Sequence, residues 1–282
     1  MNAGAAIAGG ELLLFLHADS RFPGRHALRM AIQAIREGMA ESGTRALAGR
    51  FPLSFRRRDD SPSLAYFYYE AKARLNRSDC IRGDQGLLLS HAFFRQLGGF
   101  DESLPFLEDI RLAALVAQKG EWLLLPVAIS TSARRFEIEG LYERQVVNAI
   151  IANNLRAGWT EFFLSLPGLY GCSSESGRLL LFPLLEGIRT LLAGRTLPWQ
   201  LDFWRATGRH VAANAWQIFF WLDTRRAFRA GLTPAEVSPR LLRAFEHRLK
   251  WLFHTPLASY VAIAAVWIWF RLLLTRHKRT TQ

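Results

Sequence analysis

Apolar positions in the first 130 or so residues fall in short unbroken runs divided by Gly, Pro and acidic residues. After about residue 140 they fall in long helical stretches. The run Leu12-Leu13-Leu14-Phe15-Leu16, closed by His17-Ala18-Asp19-Ser20, predicts a fully buried parallel strand over Glu11–His17. Pro23-Gly24 then opens a helix to about Gly38, with Leu28, Ile32 and Ile35 on one face. Ala46–Phe55 alternates as a strand. Ser61-Pro62 reads as the cap and first position of a helix to about Asn76. Its four consecutive aromatics, Tyr66 to Tyr69, cannot share one helical face; the plainer reading is core plus surface tyrosine, the other that some line a cleft or pack against the C-terminal half. Cys80–Leu89 reads as a turn into a short strand, and Ala92–Leu97 as a short helix ended by Gly98-Gly99. Glu108–Lys119 reads as a helix C-capped by Gly120, and Glu121–Ile129 as an unusually apolar strand.

From about Gly140 strands give way to the helical stretches Tyr142–Arg156, Arg178–Leu192, Trp199–Asp223, Arg240–Phe253 and Leu257–Leu274. The last could span roughly 27 Å as a helix, close to the thickness of a hydrocarbon core. Basic residues flank it on both sides: Arg248, Lys250 and His254 before, Arg276-His277-Lys278-Arg279 after. A helix lying in the interface, arginines toward anionic headgroups, conflicts least with those flanks. One or two spans, or an Arg-rich helical appendage packed on the first half, are the other readings. The expected division is therefore 1–140 and 141–282.

The 282 residues carry a formal net charge of +12, which favours an anionic partner: a nucleotide diphosphate, a nucleic acid or an anionic lipid surface. Nucleic acid is disfavoured, because no zinc-finger spacing, RNA-binding aromatic motif or isolated basic helix is present. Arg56-Arg57-Arg58 runs straight into Asp59-Asp60, as a solvated loop would. Cys80 and Cys172 form neither a metal motif nor a disulfide framework and suit a reducing cytoplasm.

Two acidic sites carry the candidate chemistry. Asp19 would stand at the carboxyl end of the first strand, where open α/β sheets place ligands. Glu108-Asp109, in Phe106-Leu107-Glu108-Asp109, would open a helix whose dipole favours an ionised carboxylate. Metal-assisted group transfer needs one such group to hold a divalent cation and another to take a proton. Each also has a plainer reading, a turn aspartate and a helix-capping acid. Asp84 and Gln85 lie in a Gly-flanked turn that a sugar could approach, and Arg134 and Arg135 could grip a pyrophosphate in bidentate fashion.

Taken in order, Met1-Asn2-Ala3-Gly4, Leu14-Phe15-Leu16-His17-Ala18-Asp19, Gly83-Asp84-Gln85-Gly86, Leu97-Gly98-Gly99-Phe100, Leu107-Glu108-Asp109 and Thr131-Ser132-Ala133-Arg134-Arg135 resemble the family-2 glycosyltransferases. They are most similar to the bacterial branch with His-Ala-Asp in place of Asp-x-Asp. The resemblance covers the chain to about Gly158. It implies an α/β fold: a truncated GT-A domain, Rossmann-like with a mostly parallel sheet, then a mainly helical, membrane-associated C-terminal region. It implies inverting transfer of a sugar from a nucleotide-sugar donor to an acceptor hydroxyl, a lipid-linked one included. Asp109 would be the general base, with Glu108 positioning that site. Asp19 and His17 would face a Mg²⁺ or Mn²⁺ ion, and His17, Asp84, Gln85, Arg134 and Arg135 the donor. Family members place further strands of the nucleotide pocket ahead of the Asn-Ala-Gly piece, so the chain is expected to lack that first quarter. The location implied is the cytoplasmic face of a bacterial inner membrane. Two other classes stay open: a catalytically silent membrane-bound scaffold, and a non-specific nucleic-acid binder whose affinity would fall steeply with salt.

Overall fold

The computed structural model describes residues 1–103, 107–171 and 177–278; Phe106, Cys172 and Arg279, named above, lie outside them. The chain is mixed α/β and mainly helical, with small sheets and a helical C-terminal region. Its contacts form two units: Met1–Ala133 with Ala227–Val237, and Arg134–Arg226 with Ser238–Gln282. The first covers nearly the expected 1–140 and adds the later segment.

In the first unit, α1 (Asn2–Ile7) leads to β1 (Leu12–Phe15), α2 (Ala27–Ser42), β2 (Leu47–Arg50), β3 (Leu53–Arg56) and α3 (Leu64–Lys72). After two 3-10 turns come β4 (Leu87–Ser90), α4 (His91–Leu97), α5 (Glu108–Lys119), β5 (Glu121–Leu124) and β6 (Ile129–Ser132). One sheet has the order β1-β4-β2-β5 and a second pairs β3 with β6.

β1 is an edge strand pairing antiparallel with β4, not a central parallel strand, and β4 is also antiparallel to β2. Only β2–β5 and β3–β6 are parallel, so the sheets are mixed rather than mostly parallel. Nor is β1 fully buried: Leu13 is buried, while Leu12, Leu14 and Phe15 are partly so, and the run is apolar because side chains pack on both sheet faces. Leu13 and Phe15 pack with Leu89, Phe93, Phe94 and Phe100 on one side. Leu12 and Leu14 pack with Ala31, Ile35 and Leu88 on the other. Two covered faces remove the polar alternation whatever the strand direction.

The expected strand Ala46–Phe55 is two strands in two sheets, broken at Phe51-Pro52, where proline supplies no N–H for a ladder. Glu121–Ile129 likewise divides into β5 and β6 around Pro126. In α2 the buried stripe is Ala27, Ala31 and Ile35, whereas Leu28 is exposed. Small residues bring this helix close to the sheet, and the helix continues past Gly38, where a Cβ would lie 2.9 Å from a Leu47 methyl. α3 starts at Leu64 rather than Pro62, because Ser61 bonds back to Asp59 instead of capping a helix. Of its aromatics, Phe67 and Tyr68 are buried, and Phe67 packs edge-on against Phe228. Gly120 ends α5 in an extended conformation (φ −167°) rather than as a left-handed cap. What demands glycine there is space, since a Cβ would fall 2.0 Å from the Ala46 carbonyl oxygen.

The second unit contains α6 (Arg134–Glu139), α7 (Leu141–Arg156), α8 (Thr160–Leu169), α9 (Leu181–Ala193), α10 (Leu197–Ala213), most of α11 (Trp216–Arg229), α12 (Arg240–Arg248) and α13 (Pro256–Lys278). The expected helix Trp199–Asp223 is interrupted between α10 and α11, and α8 was not foreseen. α13 packs chiefly on α10 and α9. Gly208 lets α10 approach so closely that a Cβ there would sit 2.4 Å from the Ser259 carbonyl. Buried Asp223 accepts the Leu241 and Leu242 N–H groups at 3.0 and 2.9 Å, capping α12 from α11. Among the described residues, one helix, Pro256–His277, is long and apolar enough to cross a membrane, and 17% of its most apolar window is buried. Its outward positions include Leu257, Val261, Ile268 and Leu272.

Candidate active site

β1 ends at Phe15 and the chain turns, closed by the Ser20 N–H to the His17 carbonyl at 3.0 Å. This turn carries His17 and Asp19 beyond the sheet edge, both exposed. The carboxyl ends of the parallel pair β3 and β6 meet it there, because Arg56 and Ser132 are in register. Asp19 Oδ1 accepts from the Thr131 hydroxyl at 3.2 Å and Oδ2 from the Ser132 N–H at 3.3 Å. The Asp19 carbonyl accepts from Arg56 Nη2 at 2.6 Å. One donor on each oxygen fixes the carboxylate and leaves lone pairs toward solvent.

A second group forms around Gly83. Its N–H donates to Asp109 Oδ2 at 2.7 Å. A Cβ on Gly83 would stand 3.2 Å from that oxygen and 3.3 Å from His17 Nε2, so the imidazole and the carboxylate both close on this one glycine. Asp109 reaches it from the first turn of α5, whose preceding residue Leu107 holds a left-handed φ of 72°. For a leucine that conformation carries a penalty of about 1–2 kcal/mol, tolerated where the surroundings dictate the direction of the chain. Asp84 joins the group. Burial pushes its carboxyl pKa up to about 6, the neighbouring Asp109 adds to the rise, and His17 and Arg82 oppose it.

His17, Asp84 and Asp109, far apart in sequence, are thus brought together, with Asp19 on the same turn as His17. Gln85 is not part of this surface. It is buried, its Nε2 donates to the Cys80 carbonyl at 2.7 Å, and its Oε1 accepts from Arg50 Nη1 at 3.1 Å. It holds the turn from beneath, rather than facing a donor. Arg134 and Arg135 belong to the second unit, where the Arg135 guanidinium pairs with Glu139 at 2.8 Å. Residues not singled out from sequence are Thr131, Ser132 and Arg56, which grip Asp19, and Arg82 beside Asp84. Thr131 and Ser132 lie in the segment Thr131–Arg135, whose arginines are its stronger anion-binding signal.

Among the described residues no group of three or more His, Cys, Asp and Glu side chains is gathered to hold a metal ion. One or two protein carboxylates plus substrate phosphates are a common arrangement for Mg²⁺, and an oriented, exposed Asp19 beside His17 fits that sparser demand. Cys80 is buried and free, and burial pushes its thiol up to about 12, so it offers no nucleophile. No protein-family model, curated protein or solved structure matches this chain.

Proposed function

We propose that the first unit transfers a glycosyl group from a nucleotide-sugar donor to an acceptor hydroxyl with inversion. The observation that supports this reading is the convergence of His17 and Asp109 on Gly83, with Asp84 alongside and Asp19 on the adjoining turn. Asp109 takes the acceptor proton: Oδ2 is held by the Gly83 N–H, leaving Oδ1 to act as base. One carboxylate activating one hydroxyl for direct displacement gives inversion. Asp19, with His17 beside it, would hold a Mg²⁺ or Mn²⁺ ion, which when bound supplies charge neutralisation for the departing diphosphate. His17 and Asp84 would contact the donor, and Arg134 and Arg135 remain candidates for its pyrophosphate. The apolar α13 would keep the protein at the cytoplasmic face of a membrane, the compartment of lipid-linked acceptors.

The test is nucleoside diphosphate release from a panel of nucleotide sugars by the full chain with Mg²⁺ or Mn²⁺ and a membrane lipid extract. Release that depends on the cation, and that disappears in both Asp19→Asn and Asp109→Asn, is the expected result. Near-normal turnover in both variants sinks the mechanism.

A further inference from the structure

Among the described residues α13 alone is long and apolar enough for a membrane, and its neighbours decide how it can lie there. α10 runs antiparallel beside it. Gly208 packs against Ser259 and Ile263, and one turn earlier Trp204 shares an apolar cleft with Val266 and Phe270. Asn153 and Asn154 of α7 and Ile188 of α9 line the same cleft, so α9 too is level with the middle of α13. Arg205, between the levels of Trp204 and Gly208, therefore stands beside that middle, paired with Asp202 at 3.3 Å. The Arg205 and Asp202 side chains are 54% and 77% exposed. Glu186 and Arg189 form a second exposed pair on α9. If α13 crossed a bilayer, both pairs would be carried toward its centre, farthest from either headgroup layer, where a charged side chain is most costly.

The outward face of α13 agrees with a different orientation. Leu257, Val261, Ala264, Ile268 and Leu272 fall three or four residues apart in one exposed apolar stripe. Tyr260, Trp267 and Arg271 are exposed along one border of that stripe, and the Arg271 guanidinium lies 5.4 Å from the Trp267 ring centre. A spanning helix keeps Tyr and Trp for its two ends, at the membrane–water boundary. Here Trp267 is at mid-length and the border runs lengthwise, as it does when a helix lies along the boundary itself. Leu249, Trp251 and Leu252, just ahead of α13, are also exposed, with Arg248 and Lys250 among them.

We propose that α13 inserts into a single leaflet, parallel to the membrane plane. The stripe lies against the acyl chains, α9 and α10 stay on the aqueous side, and Arg248, Lys250 and Arg271 meet anionic headgroups. This orientation rests on the membrane attachment read from α13 above and is independent of sugar transfer.

The test is nitroxide depth, measured by power saturation on the full chain bound to vesicles of phosphatidylcholine and phosphatidylglycerol. Labels are placed one at a time through Leu257→Cys, Val261→Cys, Ala264→Cys, Ile268→Cys and Leu272→Cys, with Cys172→Ser and the buried Cys80 retained; Cys172→Ser alone gives the background. These positions extend over about 22 Å of helix. All five are expected at one depth, about 5–10 Å below the headgroups. A label at Arg205→Cys should stay accessible to an aqueous nickel chelate. A profile in which Ala264→Cys lies about 10 Å deeper than both ends, or an Arg205→Cys label shielded in hydrocarbon, overturns in-plane insertion and leaves attachment standing. Failure to bind the vesicles overturns attachment and orientation together. Binding to vesicles of phosphatidylcholine alone should be at least tenfold weaker, and equal binding overturns the assignment of the basic residues to anionic headgroups. Variants are compared at equal helix content by circular dichroism, and Ala265→Cys replaces Ala264→Cys if the latter misfolds.

Discussion

Gly83→Ala separates the geometry of the site from the stability of the fold. Gly83 is not among the residues with positive φ, so alanine suits its backbone. Loss of a flexible residue from the unfolded chain would even stabilise by about 0.4–1 kcal/mol. The added methyl, however, would stand 3.2 Å from Asp109 Oδ2 and 3.3 Å from His17 Nε2, inside the 3.4 Å at which ordinary contact begins. Both groups are far ends of side chains and can retreat by a few tenths of an ångström at little cost. Global stability should therefore change by less than about 1 kcal/mol. Catalysis is less forgiving: displacement of a reacting group by about 1 Å can cost about 100-fold. The same retreat strains the 2.7 Å Gly83–Asp109 hydrogen bond, and a charged bond of that kind is worth about 1.5–3 kcal/mol net. Loss of half of it, about 0.75–1.5 kcal/mol, is about 4- to 13-fold in rate. Steady-state release of nucleoside diphosphate should show kcat reduced about tenfold, with an unchanged urea midpoint. Turnover within twofold of the parent would refute the placement of His17 and Asp109 in the chemistry.

Asp84→Asn should stabilise the protein at neutral pH. The folded Asp84 carboxyl titrates near 6, against an ordinary value near 3.8, so the folded state binds its proton more tightly than the unfolded chain. The resulting penalty is absent below about pH 4, grows as pH rises to about 6 and is complete above; from the shift it amounts to at most about 3 kcal/mol. Urea titrations in chelator at pH 3.5 and 7.5 should show the variant's advantage only at the higher pH, and an equal advantage at both would contradict the assignment. Gly208→Ala should destabilise by about 1–3 kcal/mol or more, as its methyl would meet the Ser259 carbonyl and Ile263 where α10 packs on α13. An unchanged melting temperature would show that the two helices do not pack as described. Membrane-bound protein should resist extraction by 1 M salt, because apolar burial, about 1.5–3 kcal/mol per large aliphatic side chain, outweighs screened attraction between arginines and lipid headgroups. Release by salt alone would reduce α13 to a soluble packing helix.

The positions of Asp19 and Asp109 relative to their elements were legible because strand ends and helix starts leave local marks. Asp19 after an apolar run and Asp109 at the head of a periodic stretch both stand where the spacing placed them. Strand direction was not legible, since Leu12–Phe15 records only that apolar side chains pack on both faces, and Leu16 beyond it is exposed. Gln85 misled because a polar residue between glycines looks like a surface turn, and only the distant Arg50 and the Cys80 carbonyl reveal that it points inward. Local sequence likewise gave no hint that Asn153 and Asn154 line an apolar cleft, because α7 shows no sharp division of apolar and polar faces.

The buried guanidinium of Arg50 has a consequence for how the site can change. It donates to the Ala73 carbonyl at 2.5 Å, to Leu75 at 2.7 Å and to Gln85 at 3.1 Å, and burial lowers its pKa to about 10, still well above neutrality. A single side chain thus joins the end of α3 to the floor of the Gly83–Gln85 turn. In a selection on the proposed transfer activity, substitutions in that turn would carry their damage through Arg50 into residues 73–75. Revertants should then accumulate at the end of α3, out of sight of any ligand, before they appear beside the carboxylates. Libraries confined to the visible site would miss the positions that let it evolve.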